Sequence, residues 1–314
     1  MRSFNVINYN LRPNKSIQRQ LVFESVQILQ TQLDLEGLVY VGLGSIWFTD
    51  FHMAHKTLRI RDMVSIEADE IGFLRATFNQ PFNTIKVKNG HSGQILPVLL
   101  DDPKLCNRPW FVWLDYDGAL EESVVDDIRV LIERAPRNSL LIVTFNAVGF
   151  RLGSLADRPR RLRTLLGSVV PDDLEKDACR DEYLSQTLIR FTTDFMVSTA
   201  ASIARPGGFV SAFRISYRDS SPMVTLGGVL PAKGAVGTAR ATVGEREWPG
   251  IVGDPIAAPH LTLMEAAVLQ AQLPRSRPLT RKAIRRLGFD LEEEQIRSFE
   301  RYCRHYPAFA QVMP

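Results

Sequence analysis

The sequence predicts an α/β protein: a mostly parallel sheet with helices on both faces, a C-terminal antiparallel hairpin and a small helical C-terminal extension. Three observations carry this. Five short apolar runs alternate with amphipathic segments over the first 145 residues, the pattern of βαβ units. Two further alternating runs, Phe209–Tyr217 and Met223–Leu230, flank the turn Asp219-Ser220-Ser221-Pro222 and read as a hairpin. Three short helical segments follow a Gly/Pro-rich stretch, 231–259.

Residues 1–16 read as irregular, and a first helix is expected from Ser16, as its N-cap, to about Leu33, with Ile17, Leu21, Val22, Val26 and Leu29 on one face. Arg12, Lys15 and Arg19 precede or begin it. They read either as solvated surface charge or as part of a lid that meets an anionic ligand. Leu38-Val39-Tyr40-Val41 is the first buried strand. It runs into Gly42-Leu43-Gly44-Ser45, where glycines permit a sharp turn and close approach of a ligand to the backbone. A helix over about 49–58 follows, and Trp47, Phe48 and Phe51 read as helix–sheet packing. The spacing of His52 and His55 is legal for a metal, but no third ligand is evident and packing is the preferred reading.

The second strand, 63–67, ends in Glu67, about 20 residues beyond the glycine turn. A carboxylate there suits the ribose hydroxyls of a nucleoside cofactor. After a helix over 71–78, the third strand, 85–87, ends at Asn89-Gly90-His91-Ser92-Gly93. A helix with Ile95, Leu96, Val98 and Leu99 comes next. The fourth strand, 110–114, ends at Asp115-Tyr116-Asp117-Gly118, where alternation aims Asp115 and Asp117 to one side. A helix over 124–135 leads to the fifth strand, 140–145. Polar residues therefore collect at the carboxyl ends of the strands, where ligands bind in open α/β sheets.

From Gly149 to Asp181 the chain is arginine-rich, with Arg158, Arg160, Arg161 and Arg163. A solvated connector is the default reading and a phosphate or nucleic-acid contact the alternative. A helix over about 182–204 ends at Arg205-Pro206-Gly207-Gly208. In the tail, Thr262 and Glu265 form a capping-box pattern, and 280–287 and 291–305 read as two more helices. A helix-turn-helix role for this tail is the lesser reading, and packing on the main domain the greater. The expected division is 1–252, with 1–35 as lid and first helix, and 253–314.

Composition narrows the class. In 314 residues the net charge is +3, too small to predict a nucleic-acid partner unaided, and no apolar run approaches the roughly 18 residues of a membrane span. Cys106, Cys179 and Cys303 are scattered, which fits a reducing, cytoplasmic setting.

The stretches YVGLGSIWFTDF, RDMVSIEAD, NGHSGQILP and WLDYDG together resemble the class I S-adenosylmethionine-dependent methyltransferases, and more narrowly a bacterial family that carries an O-methyltransferase label. The resemblance implies a Rossmann-like fold and S-adenosyl-L-methionine as cofactor. Gly42, Gly44 and Ser45 would line the methionine end, Glu67 would hold the ribose, His91 and Ser92 would lie by the adenine, and Asp115 would lie by the reacting methyl. Asp115 and Asp117 are the expected catalytic pair. Tyr40 stands where the general pattern begins with an acid, Ile46 where a third glycine is common, and His91 where an aspartate is common. The methyl acceptor would be a small molecule or a nucleic acid. The alternative is a non-catalytic cofactor-binding sensor with a protein partner in an antiviral defence complex. No membrane partner is expected.

Overall fold

A computed structural model describes residues 12–307. Its centre is a seven-stranded sheet in the order β3-β2-β1-β4-β5-β7-β6. The strands β1 (Val39–Leu43), β2 (Met63–Glu67), β3 (Ile85–Asn89), β4 (Trp110–Ala119) and β5 (Ser139–Asn146) are parallel to one another. β7 (Pro222–Leu230) slots between β5 and β6 (Val210–Arg218), antiparallel to both. The fold is the Rossmann-like sheet with the hairpin that the sequence predicts.

Strand alternation divides the core into two layers. Tyr40, Phe111, Trp113 and Ile142 face one side, and Val41, Val112, Leu114 and Val143 the other. The first side is covered by α1 (Pro13–Gln32), α2 (Thr49–Lys56), α3 (Glu70–Phe78) and α8 (Val236–Val243). The second is covered by α4 (Ser92–Leu100), α5 (Glu122–Arg134), α6 (Arg158–Leu166) and α7 (Asp181–Ser202). The chain leaves β1 toward one face and β4 toward the other, so the crevice opens between their ends.

Helix α1 starts earlier than the sequence suggests. Pro13 occupies the first turn and Arg12, not Ser16, is the N-cap; proline's fixed φ is ready for helix, and its missing N–H is not needed there. The expectation of irregular backbone before residue 13 lies outside the described residues apart from Arg12. α1 is buried almost all round, including Asn14, Lys15, Gln18 and Arg19. A buried polar chain pins it to the sheet. Gln18 Nε2 donates to Thr225 Oγ1 at 2.9 Å, Thr225 and Thr144 hydroxyls meet at 2.8 Å, and Trp113 Nε1 donates to Thr144 Oγ1 at 3.0 Å.

Three other expectations change. Trp47 is exposed, while Phe48 and Phe51 pack with ring centroids 5.2 Å apart, because Phe48 takes a left-handed conformation, φ 48°, that turns the chain into α2. The arginine-rich connector contains a helix, α6, and short 3₁₀ turns. Arg158 is buried there, donating to Cys179 O at 2.8 Å and Asp181 Oδ1 at 2.7 Å. The 231–259 stretch contains α8, which its glycines conceal.

The tail forms α9 (Leu263–Gln270), α10 (Arg281–Arg286) and α11 (Glu293–Tyr302). The Thr262–Glu265 capping box is present. Leu269, Ile284, Ile296 and Phe299 enter the same core as Ile17 and Leu21 of α1, so the tail packs on the main layer as the greater reading expected. His52 and His55 stack on Phe82, with ring centroids 5.2 and 4.3 Å away, which bears out packing over metal binding.

Candidate active site

The carboxyl ends of β1, β2 and β4 open into a cavity of about 630 Å³, within the usual range for small-molecule sites. Gly44 and Ser45 line it after β1, Glu67 at the end of β2, His91 and Ser92 after β3, and Asp115 and Asp117 on β4. Seven of the eight residues singled out from the sequence therefore share one wall. Gly42 does not: it is buried within β1, its Cα facing the Tyr40 ring.

Each position has a local cause. The N–H of Gly44 donates to Ile66 O at 2.8 Å, which draws the turn after β1 against the end of β2. A Cβ on Gly44 would stand 2.3 Å from Ser65 Oγ, so only glycine allows this approach without displacing Ser65. Glu67 is 7% exposed, and its Oε1 accepts the Asp69 N–H at 3.1 Å. Asp69 in turn N-caps α3 through Gly72 N at 2.9 Å. The helix start thus fixes the carboxylate at the strand end.

His91 is the N-cap of α4, its side chain making no cap bond. Ser92 Oγ donates to Asp127 Oδ2, and Tyr116 OH donates to the same oxygen at 2.6 Å. Asp127 comes from α5 and is 2% exposed. Burial pushes its carboxyl above the ordinary value, with the two hydrogen bonds pulling the other way. Burial likewise pushes the Tyr116 hydroxyl well up, with Asp127 adding to it. This network locks the loops after β3 and β4 together.

The opposite wall comes from α1 and the β6–β7 hairpin. Arg12, Lys15 and Arg19 all line the cavity, so of the two readings of these charges the ligand-facing one describes their placement. Lys15 Nζ donates to Asp115 Oδ2 and to Tyr217 OH, the latter at 3.1 Å. Arg19 Nε donates to Asp50 Oδ1. Asp219, read from sequence as a turn residue, is also on this wall. Its Oδ1 is buried without a hydrogen-bond partner, and burial raises its carboxyl against the pull of Arg12 and Lys15.

The sequence reading missed Asp50, Asp127, Tyr217 and Asp219. A signal existed for Asp127, which lies three residues after Val124 and four before Leu131, on the apolar face of α5. No pattern in the sequence distinguishes Asp219 from other turn aspartates. Among the described residues, no group of three or more His, Cys, Asp or Glu side chains could hold a metal ion, and no helix is long and apolar enough to cross a membrane.

A model of the family described as "Putative O-methyltransferase" matches residues 7–314. No curated protein matches the sequence. Among solved structures, the chain is similar to Trm1 from Pyrococcus horikoshii in complex with S-adenosyl-L-methionine, at 14% identity and TM-score 0.48, covering 72% of this chain and 58% of that one. The chain therefore spans less than two thirds of that protein. It is also similar to the plantazolicin methyltransferase BpumL in complex with SAH, at 9% identity and TM-score 0.42, covering 68% of this chain and 84% of that one. A third is an O-methyltransferase from Bacillus cereus in complex with SAH, at 13% identity and TM-score 0.39, covering 66% and 79%.

Proposed function

The chain belongs to that O-methyltransferase family, and from this premise we propose that it binds S-adenosylmethionine in the crevice and methylates an oxygen of a small polar acceptor. The observation that carries the reading is Glu67. It is a buried carboxylate at the end of β2 beside a glycine turn that a Cβ would obstruct, and this is the arrangement a ribose-bearing cofactor requires.

The residues fit the group. Glu67 would hold the ribose hydroxyls, Gly44 and Ser45 would lie by the amino-acid end, and His91 and Ser92 by the adenine. The bound cofactor supplies an electrophilic methyl on a sulfonium centre. Oxygen methylation requires removal of the acceptor's proton and in-line placement of its oxygen. Asp115 is placed for the first task. Lys15 engages its Oδ2, Tyr217 braces Lys15, and Oδ1 is the atom assigned to take the proton. Asp117, on the same wall, would orient the acceptor. The hairpin side, with Tyr217, Asp219 and Met223, would shape its pocket. A small acceptor is favoured over a nucleic acid because Arg158, Arg161 and Arg163 are engaged by Asp181, Glu122 and Asp172 rather than arrayed along an open groove.

Calorimetry on the full chain tests the reading. S-adenosylmethionine and S-adenosylhomocysteine are expected to bind in the micromolar range, about −8 kcal/mol. Glu67→Gln should weaken both. Heat with ATP or NAD, and none with either sulfur compound, would overturn the proposal.

A further inference from the structure

Arg19 has no role in the scheme above, yet it is built into the cavity wall. Its side chain is 7% exposed, and it lines the cavity with Gly44 and Ser45. Nε is taken by Asp50, from the first turn of the helix that follows the glycine turn. Nη1 is buried and has no hydrogen-bond partner. A charged donor left unmade in the interior is costly, and packing alone would be met by an uncharged side chain. The guanidinium is instead held in place by one carboxylate and left short of another.

The sheet order tells which part of a ligand reaches it. Glu67 and His91 stand on β2 and after β3, to one side of Gly44, while Asp115 stands on β4, to the other. Asp50 ties Arg19 to the β1–α2 junction between them. A nucleoside whose ribose sits at Glu67 and whose base lies toward β3 extends its 5′ substituent over this junction. The planar fork of an arginine matches a carboxylate there.

We propose that Arg19 anchors the α-carboxylate of the cofactor's amino-acid end, so that the site selects an amino-acid-bearing nucleoside over the nucleoside alone. This rests on the cofactor reading given above. A carboxylate on the methyl acceptor is the other source of the same chemistry, and the choice of probes separates the two.

The experiment is calorimetry on the full chain with S-adenosylhomocysteine and with 5′-methylthioadenosine, which keeps the nucleoside and lacks the amino acid. Wild type, Arg19→Gln and Arg19→Lys are compared, each with a melting curve taken without ligand. Arg19→Gln is expected to weaken S-adenosylhomocysteine roughly 10- to 100-fold and leave methylthioadenosine unchanged, with Arg19→Lys between. Equal weakening of both probes overturns the proposal, because Arg19 then acts through Asp50 or the fold. Unchanged S-adenosylhomocysteine affinity also overturns it, leaving the acceptor's carboxylate as the partner. If Arg19→Gln does not fold, the Lys variant and the wild-type preference between the two probes decide by the same criteria. Wild-type protein that binds neither probe overturns the cofactor reading, and the anchor with it. Wild-type protein that binds both equally overturns the anchor alone.

Discussion

Lys15 Nζ donates to Asp115 Oδ2, joining α1 to β4 between residues 100 apart in the chain. Lys15 is the more deeply buried partner, 5% exposed against 22% for Asp115. Its other polar contact is Tyr217 OH, and the rings of Trp113 and Tyr217 lie 5.8 and 5.6 Å from the ammonium. From sequence alone Asp115→Asn is a near-neutral change for stability. The pair reverses that expectation, because the change strands a buried ammonium. Asp115→Asn should destabilise by about 3–5 kcal/mol. Adding Lys15→Met should restore most of the loss, since the charge that needed a partner is gone. Urea unfolding of the two single variants and the double variant checks this; strictly additive losses would mean the pair is not coupled.

The pair also shows where the sequence was and was not legible. The five parallel strands stood out because strands covered on both faces are continuous apolar runs. The strand-end cluster could be read for a related reason: polar residues at the end of such a run need a purpose other than the core. Lys15 and Arg19 were ambiguous because charge on a first helix is usually solvated. Their i, i+4 spacing continues through Val22 and Val26, all four buried, and that stripe was the available sign. Asp219 and Arg158 left no such sign. Their burial depends on a hairpin turn and a loop whose tertiary placement no local pattern encodes.

Arg158 bears on the nucleic-acid reading of its segment. Its guanidinium satisfies a backbone carbonyl and Asp181. Arg158→Ala should therefore cost about 1–3 kcal/mol of stability by leaving the Cys179 carbonyl unpaired. Arg161→Ala and Arg163→Ala disrupt exposed ion pairs and should each change stability by under about 1 kcal/mol. None of the three should alter the salt dependence of any residual RNA retention. A slope that falls by about one unit per arginine removed would instead return these residues to phosphate contact.

Asp127 gives a pH signature. Burial holds its folded-state carboxyl above the ordinary value. The unfolded chain loses this proton in the ordinary carboxylate range, near pH 4, while the folded chain keeps it to higher pH. Between those two points the folded state binds more protons, so this group's contribution to stability falls as pH rises and is constant above the folded value. Asp127→Asn removes the slope. The stability of the variant minus that of wild type should rise with pH from about 4 upward and then level off. Asp219, also raised by burial, is common to both proteins and cancels in the difference. Urea midpoints across pH 4 to 8 measure it, and a difference that falls with pH would contradict the assignment.

The last prediction concerns the helical extension, whose boundary at residue 252 is a proposal from sequence. Three kinds of contact argue that it melts with the sheet. Phe299 of α11 is 1% exposed, in the core that also holds Ile17 and Leu21, and stacks edge-on to Tyr306 with centroids 5.1 Å apart. Gln20 Nε2 donates to His305 O at 2.9 Å, and Glu24 meets His305 Nε2 at 2.7 Å. Asn14 Oδ1 accepts the Ala258 N–H at 2.7 Å, one turn from Lys15 and Gln18. The extension therefore grips the same helix that carries Arg12, Lys15 and Arg19 to the cavity. Phe299→Ala should cost about 3–5 kcal/mol, the usual penalty for emptying a core aromatic site. It should lower a single melting transition rather than split it, and it should weaken S-adenosylhomocysteine binding only as far as α1 loosens. Calorimetric melting with and without ligand distinguishes the cases. A separate low-temperature transition in the variant, with cofactor affinity untouched, would show that the extension unfolds alone and that α1 holds its place without it.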